Sequence, residues 1–152
     1  MNKFKSFIVL LLGIIVLGAC GNSKSKDAGK LESVTYELKS VPGTISEITF
    51  EYDKDNNIQK SVTQSDVTFA QSGGTKEDYQ KVIEASKAMY DLLDGVKHTT
   101  NFTDDTLSET LEITVKDVPE ESLMVLFPTA KDGKVSLDAY AKNLEAAGFT
   151  KK

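Results

Sequence analysis

The chain has 152 residues, 39% hydrophobic and 27% charged, which suits one globular domain and is too short for two of ordinary size. All 18 basic residues are lysine, and without Lys3 and Lys5 of the opening segment 16 positive charges face 23 negative ones, so an acidic, arginine-free body cannot displace counterions from a phosphate backbone and nucleic acid is excluded. The single Cys excludes an internal disulfide and metal sites built from several thiolates.

Residues 1–19 form a unit apart. Lys3 and Lys5 precede an unbroken apolar run, Phe7 to Leu17, of the length of a signal-peptide core and too short to span a bilayer. It ends in Leu17-Gly18-Ala19-Cys20, which resembles the lipobox of bacterial lipoproteins. Small residues beside the cut let a signal peptidase pass the chain, and the resemblance implies that the Cys20 thiol receives a diacylglyceryl group before becoming the mature N-terminus. Two or more acyl chains, such as palmitate, suffice for stable anchoring where one does not. The partner expected is the membrane itself, with the domain held extracytoplasmically: on the outer leaflet of a single-membrane bacterium, otherwise in the periplasm or at the outer membrane. Residues 20–30 hold no apolar side chain larger than Ala beyond Cys20 and read as a tether, and a single domain is expected over 31–152.

In the domain, Val34, Tyr36 and Leu38 alternate with polar residues, as do Ile48, Phe50 and Tyr52, predicting two half-buried strands joined at Pro42-Gly43. Asp53 to Asn57 predicts a turn into a third strand, Ile58 to Phe69, whose parity changes between Val62 and Val67 and so implies a bulge near Ser65-Asp66. Thr75 is placed to cap a long helix with Tyr79, Val82, Ile83, Ser86, Met89, Tyr90 and Leu93 on one stripe, closed by Gly95. Two strands follow, Val96 to Thr103 and Thr106 to Lys116, turning at Asp104-Asp105; the second carries Leu107, Leu111, Ile113 and Val115 on one side. Pro119 starts a short helix through Leu126. Ser136 caps a last helix with Leu137, Tyr140, Ala141, Leu144 and Ala147 on its stripe, ended by Gly148. The order β-β-β-α-β-β-α-α with short connections predicts an α+β fold: an antiparallel sheet of about five strands with helices packed on one face.

The stretch Gly95-Val96-Lys97-His98-Thr99-Thr100-Asn101-Phe102-Thr103-Asp104-Asp105, with Glu109 beyond it, resembles the central hairpin of the YehR-like family of small bacterial lipoproteins. Leu144-Glu145-Ala146-Ala147-Gly148-Phe149 is similar to that family's last helix and its glycine-aromatic stop. The likeness runs from Leu31 to Lys151 and agrees with the lipobox. It implies an α+β lipoprotein domain of unknown biochemical role and carries over no catalytic residue.

The search for chemistry returns little. His98 is the only imidazole, and on the strand face of Val96 and Phe102 it reads as a packed or hydrogen-bonded structural residue. Asp53-Lys54-Asp55-Asn56-Asn57 begins like a calcium loop but has Ile58 where Gly is needed and Gln64 where a bidentate Glu is needed, so it reads as a hairpin turn. Asp104-Asp105 and Glu120-Glu121 read as surface charges. Thr106, Ser108, Thr110, Glu112 and Thr114 form a polar strand face, either a solvated surface or one that binds a glycan or peptide. The functional expectation is a non-catalytic binding or interaction domain of the cell envelope with a protein or glycan partner. No catalytic residue, cofactor or metal is assigned. The alternatives are a glycan hydrolase using two facing carboxylates, or a structural spacer.

Overall fold

A computed structural model describes residues 30–39 and 41–152. The expected leader, the expected lipobox residues Leu17, Gly18 and Ala19, the expected attachment residue Cys20 and the expected tether up to residue 29 lie outside the described residues. Strands β1 (Glu32–Leu38), β2 (Thr44–Tyr52), β3 (Ile58–Thr68), β4 (Val96–Phe102), β5 (Thr106–Thr114) and β6 (Thr150–Lys151) alternate with helices α1 (Phe69–Ser72), α2 (Lys76–Tyr90), α3 (Glu120–Leu126) and α4 (Leu137–Ala146). The strands form one sheet in the order β4-β5-β3-β2-β1-β6, and every adjacent pair is antiparallel. This is the α+β architecture expected from the sequence, with a short sixth strand added where Thr150 and Lys151 pair with Glu37 and Tyr36.

The inner face of the sheet follows from the pairing. Val34, Tyr36 and Leu38 lie opposite Phe50, Ile48 and Ser46, and Leu107, Leu111 and Ile113 lie opposite Val67, Thr63 and Ser61. Helices α2, α3 and α4 cover this face, burying Ile83 and Tyr90, Leu123, and Leu137, Ala141 and Leu144 respectively. Phe50, fully buried, sits edge-on to Tyr36 and Tyr140 at centroid distances of 6.2 and 5.6 Å, and Tyr140 in turn meets Phe127 at 5.2 Å. Among the described residues no helix covers the opposite face.

The parity change in β3 lies earlier than the sequence suggests. Glu51 pairs with Lys60 but Tyr52 pairs with Ile58, so the irregularity falls at Gln59, beside the turn, and not near Ser65-Asp66. Asp53 explains this: its Oδ1 accepts from the backbone N–H groups of Asp55 and Asn57 at 2.9 and 3.0 Å, and its Oδ2 accepts from Gln59 Nε2 at 2.9 Å, pinning Gln59 to the turn. The backbone bond from Asn57 also holds the Asp53 carboxyl below its ordinary range. Beyond the bulge Ser61, Thr63, Ser65 and Val67 point inward, and Val62 belongs to the open face.

Four element ends also differ. Helix α2 starts as expected, with a reciprocal capping box between Thr75 and Asp78, but stops at Tyr90. The loop then turns through Gly95, at φ +76°, where a Cβ would lie 2.9 Å from the Thr114 carbonyl, so the chain must press against β5 before β4 can begin. Phe69 leaves the sheet to open α1 and stacks on Tyr79 at 5.5 Å, and Val115 starts a 3-10 turn. Ala147, expected on the last buried stripe, caps α4 and is exposed. The turn at Pro42-Gly43 is as expected; at φ +69°, a Cβ on Gly43 would strike Gln71 at 2.5 Å.

Phe50→Ala should lower unfolding stability by about 3–5 kcal/mol, whereas Val62→Thr should change it by no more than about 0.5 kcal/mol; urea unfolding of both variants checks the register beyond the bulge.

Candidate functional site

One row of the inner face is polar. Ser46, Ser65, Glu109 and Thr100 are successive cross-strand neighbours on β2, β3, β5 and β4. Ser46 and Ser65 share a buried hydroxyl hydrogen bond of 2.7 Å. Glu109 lies between Leu107 and Leu111, where strand alternation directs it into the core, and it is the one buried acid among the described residues. Its Oε1 meets His98 Nε2 at 2.7 Å, with both side chains 1% exposed. The other oxygen, Oε2, is buried without a hydrogen-bond partner among the described residues.

The row divides the core in two. On one side lies the large cluster of Phe50, Leu111, Ile113, Leu123, Phe127 and Leu144; on the other lie Val67, Phe69, Ile83 and Leu107, with Tyr79 and Phe102 beside them. Helix α2 bridges the two, with Ile83 in the smaller cluster and Tyr90 in the larger. Tyr90 packs edge-on against the His98 ring at 5.1 Å. Burial, reinforced by the nearby Glu109 carboxylate, pushes the Tyr90 hydroxyl up to about 12.

Chemically the cluster is a closed ion-pair or hydrogen-bond unit, and its residues are held by packing on all sides. The expectation that His98 is packed and hydrogen-bonded is met, but Glu109 was missed as its partner. The available signal was parity: Glu109 shares its alternation with Leu107, Leu111 and Ile113. The structure brings no second carboxylate to Glu109. Asp53 is spent on its own turn, Asp104 pairs with Lys76 at 3.0 Å, and Glu120 and Glu121 are exposed in the first turn of α3. Among the described residues no group of three or more His, Cys, Asp and Glu could hold a metal ion, and no helix is long and apolar enough to cross a membrane.

The helix-free face is the other candidate. Thr106, Ser108, Thr110, Glu112 and Thr114 all lie on it, beside Lys60, Val62 and Gln64 of β3 and Lys97, Thr99 and Asn101 of β4. Cross-links of modest strength knit it: Lys60 Nζ to Glu112 at 3.0 Å, and Thr35 to Thr49 at 2.9 Å. A shallow open groove beside β1 is lined by Ser33, Thr35, Glu47, Tyr52, Lys151 and Lys152, and there Lys152 is paired with Glu47 and Glu37.

Fold and site together define a one-sided α+β domain with a polar row across its inner face and a broad polar sheet face left open. The chain belongs to the family described as "Protein of unknown function (DUF1307)", whose model matches residues 32–150. It is 27% identical to "Uncharacterized lipoprotein Lmo0207" of Listeria monocytogenes, over 98% of this chain and 95% of that protein. It is also 27% identical, with the same coverage, to "Uncharacterized lipoprotein Lin0239" of Listeria innocua. The solved structure of Escherichia coli YehR superposes with a TM-score of 0.64 at 24% identity, covering 82% of this chain and 93% of YehR, so the fold is shared and the YehR-like resemblance holds. A protein from Streptococcus pneumoniae TIGR4 superposes with a TM-score of 0.54 at 18% identity, over 91% of this chain and 94% of that one.

Replacing one member of the buried pair, by His98→Leu or Glu109→Leu, should cost about 3–5 kcal/mol. The double replacement should cost less than the sum of the two by roughly 1 kcal/mol or more, a coupling measurable by a denaturant double-mutant cycle. The folded chain holds the Tyr90 proton more tightly than the unfolded chain does. Its contribution is therefore complete below pH of about 10 and is lost as pH rises through about 12. Tyr90→Phe should flatten the fall in melting temperature between those values.

Proposed function

We propose that the chain is a lipid-anchored domain of the bacterial cell envelope, attached through Cys20, that binds another envelope component, protein or glycan, without catalysing a reaction. The observation that carries the anchoring is the position of the chain's single cysteine, directly after Leu17-Gly18-Ala19 and an eleven-residue apolar run. Alignment over 98% of the chain with a protein named a lipoprotein supports it. In this reading residues 1–19 are removed, residues 20–30 are the tether, and 31–152 is the single functional domain. An arginine-free chain with a short tether favours the outer leaflet of a single membrane.

The binding role rests on the sheet face that no helix covers, where Thr, Ser, Glu, Gln and Lys side chains stand in ordered rows. Hydrolysis of a glycan would need two carboxyl groups facing each other about 5–9.5 Å apart. The one buried acid among the described residues, Glu109, is instead bound to His98 and closed in by packing.

Cys20→Ala, expressed in a bacterium with lipoprotein processing, should move the domain from the membrane fraction to the soluble extracytoplasmic fraction and alter the mature size. Retention in membranes at the same level and size would overturn the assignment.

A further inference from the structure

The exposed apolar side chains of the domain are unevenly distributed. Strand β1 begins at Glu32 opposite Tyr52, and the same end of the sheet holds the start of β3, the end of β5 and the start of β4, since Lys60 pairs with Thr114 and Val96 with Ile113. The chain therefore enters the domain from this end. The last turn of α2 and its following loop, with Met89 and Leu92, also arrive here, because Gly95 packs on the Thr114 carbonyl. The segment that holds α3 leaves from and returns to this end: Val118 abuts Gly95, and the Val135 carbonyl accepts from Ile58 N–H at 2.9 Å. Of the six large exposed hydrophobic residues among the described ones, Leu31, Met89 and Leu92 sit at or beside this end, Met124 and Val125 lie on α3 between Val118 and Val135, and Ile45, opposite Asp66, is at the other end. Leu92 is 84% exposed and Val125 68% exposed, an arrangement with no use in packing this domain.

We propose that this end docks on the lipid surface, with Leu92, Met124 and Val125 entering the headgroup region. The proposal rests on the anchoring through Cys20. Eleven residue steps separate Cys20 from Leu31, so the two cannot lie more than about 40 Å apart. That keeps this end near the bilayer at a local concentration high enough for a weak contact to persist. Asp91, Asp94, Glu120 and Glu121 neighbour the apolar side chains in sequence, so the contact is apolar in character and is weakened by anionic lipid.

The chain contains no Trp, so a single introduced one reports a single position. Full-length Leu92→Trp and, as a control from the opposite end, Ile45→Trp are produced in lipoprotein-processing cells, purified, and reconstituted into phosphatidylcholine vesicles with brominated acyl chains. The expected result is that both float with the vesicles, and that Leu92→Trp emits at shorter wavelength and is quenched several-fold more strongly than Ile45→Trp. Flotation with equal, weak quenching would overturn the docking and leave the anchor standing. A shift of Leu92→Trp emission without quenching would mean that a second copy or another protein covers this end, and would also overturn it. Failure of the processed protein to float would overturn the anchor and the docking with it.

Discussion

A carboxylate in the middle of an apolar strand face needs a partner, and in this domain that requirement organises the core. Glu109 faces inward because β5 alternates strictly, and leaving its charge unpaired would cost far more than a typical core contact contributes. His98, on the neighbouring edge strand, supplies that partner at 2.7 Å. Tyr90 packs edge-on against the imidazole, which ties α2 to the sheet, and Glu109 itself sits in the polar row that separates the two apolar clusters. An edge strand with few buried side chains of its own, β4, is held in register by this contact together with its ladder to β5.

The second organising feature is the bulge at Gln59. It converts β3 from a strand that would bury Val62 into one that buries Ser61, Thr63 and Ser65. That strand is consequently polar on its inner side, where Ser65 shares a hydroxyl hydrogen bond with Ser46 of β2 and lies opposite Glu109. With the apolar material supplied by β1, β2, β5 and three helices on that one side, the outer face is left open and rich in Thr, Glu and Lys.

Most of this architecture was legible in the sequence because it depends on local rules. Alternation at Val34-Tyr36-Leu38 and Ile48-Phe50-Tyr52, the Thr75 cap and the Pro42-Gly43 turn each act over a few residues. The bulge was misplaced because its cause is a side chain at Asp53 reaching six residues along to Gln59, which periodicity does not register. The end of α2 was misplaced because Gly95 is a contact glycine set against Thr114 in another element, so it stops no helix. The His98–Glu109 pair joins two strands across a hairpin. Either residue alone reads as incidental; only the pairing of Glu109 with Thr100, one step from His98 on the same face, brings them together.

The central claim is that His98 and Glu109 form one sealed unit, and the imidazole itself reports on it most directly. In a long-range proton–nitrogen NMR spectrum of the isotope-labelled chain, a downfield proton coupled to His98 Nε2 should be visible at neutral pH, exchange slowly with water, and vanish in Glu109→Leu. A His98 ring whose Nε2 proton exchanges freely with solvent, unchanged by that substitution, would contradict the account.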